Sequence, residues 1–148
     1  MSSEPFIFLP AGASMNTTAI LSLFSLVSFA GVMQDEVTHT KDSFEKIQEN
    51  LEAKKAVIVD VREKSEWNAG HLKGAILIPY NTKLRFAPKT KKLQELPNDD
   101  LIVYCHCKAG VRALRAAKKL KEIGYDVRPI KAGFAELVEN GFEKAKKK

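Results

Sequence analysis

Two cysteines and a histidine stand side by side at Cys105-His106-Cys107, followed at once by Lys108-Ala109-Gly110-Val111-Arg112. The order is what makes this stretch reactive. Residues 101–104 (LIVY) have the β-branched and aromatic character of a buried strand, and Val111, Leu114, Ala117, Leu120 and Ile123 recur at helical spacing before Gly124. A cysteine placed where a strand hands over to a helix faces unpaired backbone N–H groups and the positive end of the helix dipole. Such surroundings stabilise an anion, and for a cysteine the anion is its own thiolate, whose pKa then falls from about 8.5 toward or below neutrality. Lys108 and Arg112 add cations. Cys107, at the strand end, is therefore the expected nucleophile. Cys105, one strand period earlier, is expected to pack among apolar side chains that raise a thiol pKa. A resolving role for Cys105 is the alternative, against which stands the strain of a C-x-C disulfide on extended backbone.

Positioning that loop requires alternating strands and helices. Strands are expected at about 56–60, 75–79, 101–106 and 125–130, with helices between them: an α/β fold with a mostly parallel sheet. Asp42 and Glu45 look like a capping box that opens a helix with the apolar stripe Phe44, Ile47 and Leu51. Residues 64–69 make one or two helical turns before Gly70, and Leu93 with Leu96 suggests another short helix. Pro129 belongs at the end of the last strand or on a sheet edge. The active site of such a sheet lies at the carboxyl ends of the strands. There Asp60-Val61-Arg62 forms a polar rim, with Arg62 and Glu66 spaced as an i,i+4 ion pair. His39 and His71 are isolated in the sequence, and His71 reads as a hydrogen-bonding turn residue.

These residues carry a family resemblance. VYCHCKAGVR (residues 103–112), with VDVREKSEWNAGHLKGAILIPY upstream (residues 59–80), resembles the rhodanese domain over roughly residues 44–142. The resemblance implies a three-layer α/β domain with helices on both sides of the sheet, and a sulfurtransferase in which Cys107 carries a persulfide. Lys108, Ala109, Gly110, Val111 and Arg112 would form the cradle around it, with Asp60, Arg62, Glu66 and His71 as structural support. It implies no metal and no organic cofactor, a small anionic sulfur donor, and a thiol, cyanide or protein acceptor. Two stretches depart from the pattern: Ala113 stands where a hydroxyl residue usually follows the arginine, and Ala132-Gly133 with Leu137 replaces a glycine pair and tryptophan. A carrier or binding module that hands sulfur to a protein partner would use the same cysteine. Cysteine phosphatases and arsenate reductases need five residues between cysteine and arginine, and Cys107 has four before Arg112.

Composition bounds the remaining choices. The chain has 148 residues, 45% hydrophobic and 28% charged, the size and balance of one globular domain. Its net charge of +6 is uneven, because the first 40 residues hold no Lys or Arg and three of the 18 acids. The basic residues are scattered, without aromatic interleaving, so a small anion is favoured over nucleic acid. Two cysteines are too few for a disulfide framework, and adjacent strand residues point to opposite faces, which spoils Cys105-His106-Cys107 as a zinc site.

Residues 19–33 (AILSLFSLVSFAGVM) carry no charge, fall short of the roughly 20 residues needed to span a bilayer, and match a secretory apolar core. Ser28-Phe29-Ala30 supplies the small residues of a cleavage site, although no positive segment precedes the core, with Met1 or Met15 as start. The expected organisation is a leader at 1–33, a linker at 34–41, the domain at 42–143 and a lysine tail at 144–148, with export to the periplasm or medium and no stable membrane span. An uncleaved anchor or a cytoplasmic protein is the alternative. N-terminal sequencing of protein from its native host is expected to begin at Gly31; a cytosolic protein that keeps residues 1–30 would refute export.

Overall fold

The computed structural model describes residues 36–88, 93–97 and 100–146. The leader, its cleavage site and most of the Asn98-Asp99-Asp100 turn lie outside the described residues.

The elements run α1 (Phe44–Glu52), β1 (Ala56–Asp60), α2 (Lys64–Ala69), β2 (Ile76–Leu77), a 3-10 turn (Leu84–Phe86), β3 (Ile102–Cys107), α3 (Val111–Glu122), β4 (Asp126–Gly133) and α4 (Phe134–Glu139). The four strands form one sheet in the order β2-β1-β3-β4, every pair parallel. Strand alternation divides β3 between two faces. Val103, Cys105 and Cys107 join Val59, Val61 and the α3 residues Ala113, Ala116, Ala117 and Leu120 in one core. Tyr104 points the other way, into a second core with Ile47, Ile58, Ile130, Leu137 and Phe142 beneath α1 and α4. This is the three-layer α/β arrangement.

The local differences from expectation have physical causes. Asp42 does not cap α1; Ser43 does, its side chain accepting the Lys46 N–H at 3.2 Å. Asp42 is drawn off by stronger partners, accepting the Tyr104 hydroxyl at 2.6 Å and the Arg128 guanidinium at 2.9 Å. The Tyr104 hydroxyl in turn accepts from buried Asn50 at 2.8 Å. On α3 the buried stripe is shifted: Val111 is 56% exposed, and three alanines take the inner positions. Small side chains let the helix sit close to β3, where the Cys105 thiol donates to the Ala113 carbonyl at 3.4 Å. Leu93 and Leu96 belong to a turn rather than a helix, and the short helix of this region is the 3-10 turn at Leu84–Phe86. β4 is an edge strand, as Pro129 requires, and runs three residues past its expected end. The chain stays engaged into the lysine tail, with Lys144 bridged to Leu72 and the Ala145 N–H bound to the His71 carbonyl at 3.0 Å.

That longer β4 brings Gly133 opposite Cys107, across an irregular register between Cys105 and Cys107. The approach is close enough that a Cβ on Gly133 would lie 2.1 Å from the Lys108 carbonyl oxygen. Only backbone fits there. Gly133→Ala is therefore expected to cost about 1–3 kcal/mol by overpacking, read as a lowered midpoint in urea unfolding; an unchanged midpoint would mean that the two backbones are not held in contact.

Candidate active site

Cys107 ends β3 on the α3 side and is 1% exposed. Lys108 and Ala109 then turn outward, and Gly110 adopts φ +80°, the left-handed conformation that glycine takes without strain. This reversal places the start of α3 against the end of β3. The N–H groups of the first helical turn lack partners within the helix and point back out of its N-terminus toward the loop. The Gly110 carbonyl is turned the other way and accepts the Leu114 N–H at 3.0 Å.

Arg112 is fixed from outside the loop. Its guanidinium makes two bonds to Glu66, Nη1 to Oε2 at 2.6 Å and Nη2 to Oε1 at 2.8 Å. Glu66 also accepts the Glu63 N–H at 3.0 Å, as half of the capping box that opens α2. The Arg112 hydrogen bonds hold the Glu66 carboxyl down at about 2, and the same contact raises the Arg112 pKa.

The expected Arg62–Glu66 pair is absent because both residues have better partners. Arg62 donates through Nε and Nη2 to Asp60 at 3.0 and 2.7 Å and to the Gly70 carbonyl at 2.7 Å, and lies 4.6 Å from the Phe134 ring centre. Asp60 is fully buried and also accepts the Arg62 N–H at 2.9 Å. The rim thus holds two separate ion pairs, with Arg112 directed to the cysteine loop and Arg62 to the other face. His71 stacks on Trp67 at 3.7 Å, with Nδ1 3.1 Å from the Trp67 carbonyl oxygen, so it braces the turn after α2.

The three residues 105–107 have different surroundings. Burial pushes the Cys105 thiol far above its ordinary pKa and keeps it protonated. His106 is fully buried on the opposite face, its Nε2 3.8 Å from Asp60 Oδ2, and neither ring nitrogen has a hydrogen-bond partner among the described residues. Burial lowers its pKa and keeps it neutral. Cys107 alone adjoins the loop and the start of α3. A groove of about 500 Å³ opens beside the loop, lined by Thr40, Asp42, Phe44, Lys108, Ala109 and Lys131 among others, on the side of the sheet away from the Cys107 side chain.

Three contacts at the site gave no sequence signal, although Glu66 and Arg112 each stood out singly. Glu66 and Arg112 are 46 positions apart. Gly133 matters through a backbone approach that no spacing encodes. His39, isolated in the sequence, lies with Nε2 3.3 Å from the Gly110 carbonyl oxygen.

Comparison with known proteins agrees with this fold. The chain is 29% identical over 115 residues to the probable adenylyltransferase/sulfurtransferase MoeZ of Mycobacterium tuberculosis, covering 74% of this chain and 28% of that protein. It is 34% identical over 90 residues to the tRNA uridine(34) hydroxylase of Buchnera aphidicola, covering 60% of this chain and 28% of that one. It therefore spans less than a third of the length of either relative. Among solved structures, the human single-domain sulfurtransferase TSTD1 superposes with a TM-score of 0.55 at 24% identity, over 64% of this chain and 91% of that one, a likeness of fold. The model of the rhodanese-like domain matches residues 43–140, from the cap of α1 through α4, and by that match the chain belongs to the rhodanese-like domain family.

Proposed function

We propose that the protein is a sulfurtransferase that moves sulfane sulfur from thiosulfate or a similar anionic donor to a thiophilic acceptor, through a persulfide on Cys107. The observation that carries this reading is the placement of Cys107 at the end of β3, against the start of α3, beside an arginine fixed by Glu66. In the first step the Cys107 thiolate attacks the outer sulfur of thiosulfate; a sulfur–sulfur bond forms to Cys107, the donor's sulfur–sulfur bond breaks, and sulfite leaves with the electron pair. In the second, a thiolate or cyanide takes the outer sulfur and Cys107 leaves as the thiolate. Electrons balance without an external oxidant, and covalent catalysis of this kind gives ping-pong kinetics. Arg112 and the helix N-terminus favour the anionic sulfur at both stages.

A protein acceptor is the second reading, favoured by Val111: this apolar member of the loop is 56% exposed, which suits contact with a partner surface more than capture of cyanide. Both readings use one nucleophile. The loop's four residues between Cys107 and Arg112 argue against phosphoryl chemistry.

Thiosulfate treatment is expected to raise the intact mass by one sulfur atom, removable by cyanide. Cys107→Ser abolishes this loading and Cys105→Ser keeps most of it. Loading that survives in folded Cys107→Ser, or aryl phosphate hydrolysis without a persulfide, would overturn the assignment. The Glu66–Arg112 pair makes a second prediction. A carboxyl held at about 2 in the folded chain contributes stability above its unfolded pKa and loses it as pH falls through the folded value. The stability gap between wild type and Glu66→Gln, measured by urea unfolding, should be full above roughly pH 5 and close toward pH 2; a gap independent of pH would mean that the pair does not hold the loop.

A further inference from the structure

The residues before α1 reach the cysteine loop. The Thr40 N–H donates to the Pro129 carbonyl of β4 at 2.8 Å, and Asp42 binds Tyr104 and Arg128, so this segment is fastened at two points. One residue before the first of them, the His39 ring lies against Gly110. Its Nε2 is 3.3 Å from the Gly110 carbonyl oxygen, and a Cβ on Gly110 would come within 2.6 Å of that nitrogen. A carbonyl offers only an acceptor, so Nε2 carries the proton and donates. The same oxygen accepts the Leu114 N–H, which fills both of its lone pairs.

The Gly110–Val111 peptide is planar, so holding its oxygen sets the direction of its N–H. With the oxygen turned along α3 and against His39, the Val111 N–H points the opposite way, out of the N-terminus of α3, the end that the loop joins to Cys107. Hydrogen bonds accepted at one end of a peptide strengthen donation at the other. We infer that His39 is a positioning residue of the sulfur-transfer site, holding and polarising the Gly110–Val111 peptide so that its N–H favours anionic sulfur on Cys107. The inference rests on the sulfur-transfer reading for its purpose, and on the His39–Gly110 contact for its geometry. Glutamine can present an N–H near the same point, and leucine fills similar space without a donor.

The test compares wild type, His39→Leu and His39→Gln in two measurements. Thiolate absorbance near 240 nm against pH reports on resting Cys107, since Cys105 stays protonated. Apart from His39 itself, the charged and titratable groups of the loop and of the elements packed on it, Cys105, His106, Lys108, Arg112, Glu66 and Lys131, are the same in all three proteins. The rate of sulfur loading from thiosulfate, followed by intact mass, reports on turnover. Loss of one hydrogen bond of ordinary worth corresponds to about threefold, so His39→Leu should raise the thiolate midpoint by roughly half a pH unit and slow loading about threefold, and His39→Gln should restore both. A His39→Leu protein that titrates and loads like wild type, or a His39→Gln protein as impaired as His39→Leu, overturns the inference. If wild type loads no sulfur while the His39→Leu midpoint still shifts and His39→Gln still restores it, the sulfur-transfer reading fails and His39 remains the residue that orients the loop.

Discussion

The direction of one short loop depends on a left-handed turn that only glycine makes without strain. Gly110 reverses the chain between β3 and α3, and through that reversal the N-terminus of a helix is brought back against the end of a central strand. The space is bounded on the other side by β4, whose Gly133 lets the two backbones touch. Two residues without side chains thus define the site around Cys107 from opposite sides. The bulky groups nearby, Arg112 and His39, act on a shape that the backbone has already set.

The charges divide the rim into two separate tasks. Arg62 and Asp60 are buried together and are also bound to the Gly70 carbonyl and the Arg62 N–H, so the pair satisfies itself and joins the β1 end to the turn after α2. Arg112 and Glu66 are partly exposed and join α2 to α3 beside the cysteine. The first pair stabilises the scaffold at a place where an unpaired charge would be costly. The second fixes a cation at the start of α3, beside the cysteine loop, and its geometry, with two parallel bonds, restricts how the guanidinium can tilt. His106 lies beside the first pair and remains neutral.

Strand character and helical spacing were enough to read the parallel α/β order, the break between β3 and α3 after Cys107 and the burial of Cys105, because those features depend on neighbours close in sequence. What escaped was set by distant groups in competition. Arg62 had Glu66 at a suitable spacing but found Asp60 in a buried site, where a pair is held more strongly than on an exposed helix face. Asp42 had the right type to cap α1 and was taken by Tyr104 and Arg128, 62 and 86 positions away. The alanine face of α3 was hidden for another reason: hydropathy ranks leucine and valine above alanine, whereas the closeness of the helix to β3 is decided by side-chain volume.

The segment that carries His39 has a further effect at the margin of the sheet. β4 is an outer strand, and an outer strand with free backbone groups can recruit a strand from another molecule. Here Pro129 has no N–H to offer, and its carbonyl is already taken by Thr40. The opposite margin, β2, is only two residues long. Neither border gives a second chain a long ladder to extend, so the sheet is protected against edge-to-edge aggregation, and on the β4 side that protection comes from the stretch of chain that reaches the cysteine loop.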